Sequence, residues 1–305
     1  MEVLVYGAGA LGSLVGGLLA RAHDVTLDGR KPHMRRIRQD GIRNDGEIDE
    51  HIHPRALTDG AHRTADLALV TTKAYDTDAA ARALATGEYG TICSLQNGLT
   101  EDRLMAALDP TVIAGTVSYG ARSAEPGRVT CTGIGEVVVG SLSGGSDPVA
   151  KRVGVAFDEA DIAVTVAEDM PVRRYEKLAV NAGINGPSAL ARLSNGETLE
   201  GLAADASREA AREVARVARA AGIGLDADDA VEALERVAAA TAANRSSMRE
   251  DVEAGHRTEV DAVYGAVTDR ADRLDVNTPV CRTVGSLIRG WEVGAGVRET
   301  EKKRN

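Results

Sequence analysis

Lys177, Asn181 and Asn185 stand at steps of four residues within Arg173–Asn185, RRYEKLAVNAGIN. On an α-helix a four-residue step drifts only about 40°, so the three side chains form one polar stripe about 12 Å long. Leu178, Ala179, Val180 and Ile184 supply the apolar surroundings. An amine and two amides on one face suit a small anionic carbonyl compound. The ammonium can stabilise and then protonate an oxygen that gains charge, while the amides donate hydrogen bonds. A solvated helix face would show the same spacing, so the rest of the chain has to decide. Gly186-Pro187 follows directly. Proline disfavours helix for the residue before it, so the helix is expected to end or kink there and splay Asn185 off the stripe.

A second chemistry-bearing pattern stands at the N-terminus. The apolar strand Glu2–Tyr6 runs straight into Gly7-Ala8-Gly9-Ala10-Leu11-Gly12, followed by a small, apolar helical stretch over Ser13–Ala22. Strand, Gly-x-Gly-x-x-Gly and helix form the dinucleotide-binding fingerprint. Gly7 permits the tight turn, Gly9 lets a pyrophosphate approach the backbone, and Gly12 lets the helix pack on the strand. The helix N-terminus offers free N–H groups to the phosphates. The next strand, Asp24–Leu27, ends in Asp28-Gly29-Arg30-Lys31. Asp28 could hold a ribose 2′-hydroxyl as NAD requires, whereas Arg30 suits the 2′-phosphate of NADP. The pattern favours NADPH, with NADH possible.

The elements that must carry these groups follow in order. His33–Asp40 reads as helix and Gly41–Thr58 as a polar, hairpin-like insertion carrying His51 and His53, which read as exposed loop histidines; no third metal ligand stands nearby. Asp66–Thr72 and Gly90–Leu95 read as buried parallel strands, placing Lys73 and Asn97 just past consecutive carboxyl ends, where ligands of open α/β sheets bind. Val112–Ser118, Gly133–Gly140 and Ile162–Val166 read as further strands, with a turn at Glu125-Pro126-Gly127 and a helix over Val149–Glu159. From Met170 alanine-rich helical periodicity takes over, in Leu199–Ala221, Ala227–Ala243 and Val252–Leu274. The fold class is therefore α/β. A Rossmann-like dinucleotide-binding domain over residues 1–168 precedes an all-helical domain over 169–305, with a disordered charged tail at 298–305.

Composition narrows the function. A net charge of −10 argues against nucleic acid as partner. No apolar run reaches the ~20 residues of a membrane span, and no basic stretch precedes the apolar N-terminus, so neither a membrane anchor nor a signal peptide is expected. Cys93, Cys131 and Cys281 are odd in number and far apart, which fits a reducing cytoplasm and gives no metal site. Only six lysines occur among 36 basic residues, so Lys73 and Lys177 mark places where a compact amine is wanted.

Taken together, the ordered set Gly7–Gly12, Thr72-Lys73-Ala74, Gln96-Asn97-Gly98, Gly120-Ala121, Glu176-Lys177-Leu178 with Asn181 and Asn185, Ser194–Glu197, Ser246-Ser247-Met248 and His256–Glu259 resembles the ketopantoate reductase family over nearly the whole chain. The resemblance implies NADPH-dependent reduction of 2-dehydropantoate to pantoate, on the way to pantothenate and coenzyme A. It implies Lys177 as general acid. It implies a cofactor site of Gly7, Ala8, Gly9, Ala10, Leu11, Gly12, Arg30, Lys73, Asn97, Ala121 and Glu259. Around the substrate it implies Asn97, Lys177, Asn181, Asn185, Asn195, Asn244, Arg245, Ser246 and Ser247, with no metal. Ser246 and Ser247 also read as alternative N-caps of a helix, Ser247 with Glu250 fitting the capping box better. The expected partners are a small 2-keto acid and a second copy of the chain. A reductase of another 2-keto acid and a non-catalytic NADP-sensing protein are the alternatives.

Overall fold

The computed structural model describes residues 1–299, the side chain of Ala124 excepted, and these group into two compact units. The first comprises Met1–Gln96 and Thr100–Pro171, the second Asn97–Leu99 and Val172 onward. The division therefore falls three residues beyond the expected boundary at 168, and a three-residue excursion after Gln96 belongs with the second unit.

In the first unit the strands are β1 (Glu2–Tyr6), β2 (Asp24–Asp28), β3 (Ile42–Gly46), β4 (Glu50–Ile52), β5 (Arg55–Leu57), β6 (Thr64–Val70), β7 (Glu88–Ser94), β8 (Thr111–Val117), β9 (Gly120–Glu125), β10 (Arg128–Gly133), β11 (Val137–Gly140) and β12 (Val164–Val166). The helices between them are α1 (Ala10–Leu19), α2 (Lys31–Asp40), α3 (Thr77–Leu84), α4 (Glu101–Met105) and α5 (Pro148–Asp158). The main sheet has the order β12-β11-β8-β7-β6-β1-β2-β5, parallel except where β11 meets β8. Its central strands read as continuous apolar runs because helices cover both faces, and Val3, Leu4 and Val5 are all buried. The chain starts at β1, builds outward to β2 and β5, then returns to β6 on the other side. The switch point, where ligands of such sheets bind, thus lies at the carboxyl ends of β1 and β6.

Two expectations in this unit are corrected. Gly133–Gly140 is not one strand: β10 and β11 lie in different sheets, and β10 closes a hairpin with β9 about the turn Pro126-Gly127. The insertion 41–58 supplies the β3–β4 hairpin, which joins β10 and β9 in a second, four-stranded sheet, and β5, which joins the main sheet. The second sheet is not encoded locally, since β3 finds its partner β10 more than eighty residues away.

The second unit is helical: α6 (Met170–Ala191), α7 (Ala203–Ala220), α8 (Ala227–Ala240), α9 (Ser247–Glu253), α10 (Ala266–Leu274) and α11 (Pro279–Gly294), with no strand among its described residues. Leu178, Ala182, Ala211, Val214, Leu234, Tyr264 and Ile288 share its core. The wholly buried Glu213 of α7 accepts from the backbone N–H groups of Val280 and Cys281 at 2.8 and 2.7 Å, capping α11 from another helix. α11 itself was not anticipated from sequence.

Three further expectations fail here for physical reasons. Val252–Leu274 is not one helix: α9 ends at Glu253 and the chain re-enters helix through a π turn at Asp261–Gly265. Nor does α6 end or kink apart before Pro187; it continues to Ala191. The Tyr264 hydroxyl inserts into it, accepting from Gly186 N–H at 2.9 Å and donating to Ala182 C=O at 2.6 Å, which keeps those backbone groups paired beside the proline. Finally, Arg298, expected at the head of a disordered tail, is half-buried in ion pairs with Glu292 and Asp261; residues 300–305 lie outside the described residues.

Candidate active site

In the first unit the glycine turn is held from both sides. Gly7 and Ala8 N–H both donate to Asp28 C=O, at 3.1 and 2.7 Å, and Thr71 Oγ1 donates to Gly7 C=O at 3.0 Å. Gly7 adopts φ +104°, and a side-chain carbon there would lie 2.5 Å from the Thr72 backbone nitrogen. A carbon at Gly12 would collide with Thr71 and approach Gly7 C=O to 2.6 Å. Gly9 differs: the nearest atom to a carbon there is 3.9 Å away. Open space over Gly9, and a helix α1 whose N-terminus has no side-chain cap, make a cradle of free N–H groups that fits a pyrophosphate. Ala8, Ala10 and Leu11 complete this turn, and β9, carrying Ala121, packs on α1.

Lys73 stands half-buried three residues beyond β6. The loop bearing it is bracketed by Gln96, the first residue of the Gln96-Asn97-Gly98 motif. Buried Gln96 donates from Nε2 to Thr72 C=O and Oγ1 at 3.1 and 3.0 Å, while its Oε1 lies 3.2 Å from Thr77 Oγ1.

The two candidates for cofactor discrimination are in contrasting states. Asp28 is only 8% exposed and its Oδ1 has no hydrogen-bond partner among the described residues. Burial and the neighbouring Asp59 push its pKa up to about 6, against the pull of Arg63. Arg30, the residue before α2, is exposed and forms no ion pair with a described residue. Behind it, His33 accepts from Gly127 N–H at 2.9 Å through Nδ1, so Nε2 carries the hydrogen toward Ser13 Oγ, also 2.9 Å away. Burial, then Arg30, holds its pKa below the ordinary value, which keeps this neutral form. Of the pair His51 and His53, His51 bonds Asp40 C=O, and no described group of three side chains could hold a metal.

In the second unit α6 carries Lys177, Asn181 and Asn185 within one unbroken helix. Lys177 and Asn181 are half-buried and Asn185 is buried. Asn181 Nδ2 is a buried donor without a partner among the described residues, the kind of group that a bound acceptor satisfies. Asn97 and Glu259, far apart in sequence, meet directly: Asn97 Nδ2 donates to Glu259 Oε2 at 2.9 Å. Gly98, with φ +86°, lets the turn behind Asn97 lie flat against Ala262 C=O of the π turn.

The remaining candidates take more structural parts. Asn195 is buried, its backbone N–H on Asn244 C=O at 2.9 Å and its Nδ2 on Thr241 Oγ1 at 3.0 Å, so it pins the 241–246 loop. Asn244 is exposed on that loop, and Arg245 is paired with Glu253 at 2.9 Å. Ser246, not Ser247, is the N-cap of α9: its Oγ accepts from Arg249 N–H at 3.1 Å and lies 2.6 Å from Ser188 Oγ of α6. Ser247 is left exposed on the first turn. Two contributors gave no sequence signal beyond type, Tyr264 in the α6 ladder and Glu292 beneath Thr258.

Comparison with known proteins bears on this geometry. Residues 3–144 match the family described as ketopantoate reductase PanE/ApbA, and residues 169–292 match its C-terminal family, ketopantoate reductase PanE/ApbA C terminal. A protein of Halobacterium salinarum named 2-dehydropantoate 2-reductase is 41% identical over 299 residues, covering 95% of this chain and 98% of its own. Its namesake from Archaeoglobus fulgidus is 35% identical over 96% of this chain and 98% of its own. A crystal structure of a PanE/ApbA family ketopantoate reductase from Ralstonia eutropha superposes with TM-score 0.89 at 31% identity, covering 97% of this chain and 100% of that one. D-mandelate dehydrogenase in ternary complex with NADH and anilino(oxo)acetate superposes with TM-score 0.90 over 98% and 100% of the two chains, but at 22% identity the likeness is one of fold.

Proposed function

Because the chain belongs to the ketopantoate reductase family, we propose that it is a 2-dehydropantoate 2-reductase that prefers NADPH and makes pantoate for pantothenate and coenzyme A biosynthesis. The observation that carries this reading is the α6 stripe, where Lys177 stands in line with Asn181 and its unpartnered, buried Nδ2.

The cradle of Gly7–Gly12 would hold the pyrophosphate, and Arg30 the 2′-phosphate, for which an exposed, unpaired guanidinium is suited. Lys73, Asn97, Ala121 and Glu259 would complete the cofactor contacts. When bound, a reduced nicotinamide supplies the hydride. Lys177 would stabilise the charge that develops on the C2 oxygen and then pass its proton to that oxygen, giving the alcohol. Asn181 Nδ2–H would hold an oxygen of the keto acid, with Asn185 and the Asn195–Ser247 surroundings ordering the rest. The Asn97–Glu259 bond orients the carboxylate, a group that accepts from hydroxyls. The reading includes a homodimer in the cytoplasm, which light scattering of the purified protein would test for its oligomeric part.

The test is oxidation of NADPH and NADH in the presence of 2-dehydropantoate, other 2-keto acids included, for the intact protein and Lys177→Ala. Turnover of 2-dehydropantoate should fall by two or more orders of magnitude in the variant, as expected for loss of a general acid. The NADPH/NADH ratio should collapse in Arg30→Ala. Preference for another keto acid would replace the substrate, and cofactor binding without any turnover would replace the enzyme with a sensor.

A further inference from the structure

The segment that carries Glu259 is held at both ends by charge. Thr258, the residue before it, gives both its backbone N–H and its hydroxyl to Glu292 Oε1, each at 2.7 Å. Asp261, two residues after it, opens the π turn and accepts from Arg289 Nε at 2.9 Å. Arg298 joins the two grips. Its Nη1 donates to Glu292 Oε2 at 2.7 Å, and its Nη2 reaches Asp261 Oδ2 and Oδ1 at 2.8 and 3.0 Å. Glu292 is wholly buried, so its carboxylate depends on these donors. Burial works against ionisation of Asp261, but the hydrogen bonds from Arg289 and Arg298 outweigh it and hold its pKa low. Arg257, 3.8 Å from Asp261, is the remaining cation of the cluster and lies at its exposed rim.

We infer that Arg298 is a positioning residue: by bridging Glu292 and Asp261 it fixes the Thr258–Gly265 segment and so sets Glu259 against Asn97. Arg298 follows the last helix by four residues and touches neither Glu259 nor Asn97 in any described bond. Its removal would do more than delete two contacts. A buried carboxylate would lose its only described cation, and Asp261 would lose one of its two close partners. The segment would relax to separate or protonate these acids, and the 2.9 Å Asn97–Glu259 bond would loosen with it. The catalytic part of this inference rests on the proposed reductase reading; the clasp itself does not.

The experiment therefore has two readouts on the full chain. Hydrogen exchange of backbone amides in intact protein and Arg298→Ala reports the clasp: Thr258–Gly265 should exchange roughly tenfold faster in the variant, with α7 and α8 unchanged. Steady-state kinetics with 2-dehydropantoate reports the consequence: kcat should fall roughly tenfold, the scale of a mispositioned group, in protein that is folded. Guanidinium ion added at millimolar concentration should restore much of that loss, and Arg298→Lys should retain more activity than Arg298→Ala. Unchanged exchange, or faster exchange with unaltered kcat, or a loss that neither guanidinium nor lysine repairs, overturns the proposal. An intact protein inert toward every keto acid overturns the reductase reading, while the exchange result still judges the clasp.

Discussion

The glycine turn of the first unit and the α6–π-turn assembly of the second achieve order by opposite means. The turn is a backbone device. Its shape follows from which residues lack a side chain over six consecutive positions, and the Asp28 carbonyl and the Thr71 hydroxyl hold it. The α6 assembly is a side-chain device. Lys177, Asn181 and Asn185 hold their places because Tyr264 and Ser246 arrive from segments distant in sequence, Ser246 onto Ser188 of the same helix. A device made from consecutive small residues needs few partners, but at Gly7 and Gly12 it leaves no room for a side chain. One made from dispersed side chains depends on many bonds, each of modest worth.

The sharpest way to break this comparison is to separate binding from folding within the turn. At Gly9 an added methyl meets nothing closer than 3.9 Å, so the turn should keep its shape while the space for a pyrophosphate is lost. Gly9→Ala is expected to weaken NADPH binding by about a hundredfold or more, with stability inside the ±0.5 kcal/mol of a surface substitution. Gly7→Ala should lose both together, because the obstructing atoms are the Thr72 backbone and the φ of +104° is strained for any side chain. Fluorescence titration with thermal unfolding separates the two. If Gly9→Ala bound NADPH normally, the cradle would be assigned to the wrong residues.

Asp28 comes next in size and sharpens the first unit alone. Its folded pKa of about 6 lies above the ordinary 3.8, so the folded protein holds this proton more tightly than the unfolded chain does. The contribution is thus most favourable below about pH 4, is lost as pH rises toward 6, and stays lost above it. Asp28→Asn removes the penalty, and should stabilise the protein by roughly 2–3 kcal/mol at pH 8 and by almost nothing at pH 4. Denaturant unfolding at the two pH values measures the difference. Equal effects at both would show that the carboxyl is not penalised where it stands. The NADPH/NADH ratio should remain that of the intact protein; a fall confined to NADH would instead restore Asp28 as a ribose acid.

The same contrast explains how much could be read beforehand. The first unit's glycine fingerprint, its strands β1, β2, β6 and β7 and the position of Lys73 were legible because each depends on a few adjacent residues. The alanine-rich helices were legible as well, and so was the Lys177 stripe, which only needs a period of 3.6. What was missed needs partners across the chain. Pro187 reads locally as an end to α6, and only the Tyr264 hydroxyl, 77 positions on, reconciles it with a continuous helix. Ser247 with Glu250 reads locally as the better cap, until Ser188 meets Ser246 and makes it the cap. Arg298 reads as a tail charge until Glu292 and Asp261 are brought beside it.

Tyr264 gives the smallest effect and the closest test of the side-chain device. Burial raises its pKa well above the usual tyrosine value, so its hydroxyl remains a donor to Ala182 at any ordinary pH. Tyr264→Phe leaves the ring in the core and removes only the oxygen that spans Ala182 C=O and Gly186 N–H. The helix must then either close its own ladder, drawing in the turn that holds Asn185, or leave two buried groups unpaired. Either course costs about 1–3 kcal/mol of stability. Lys177 precedes the insertion by five residues and Asn185 lies inside it. Proton delivery should therefore survive while the grip on the keto acid loosens, with KM rising a few-fold and kcat nearly constant. A variant equally stable, with KM unchanged, would mean that α6 keeps its course past Pro187 without the tyrosine and that the dispersed bonds are not what orders the stripe.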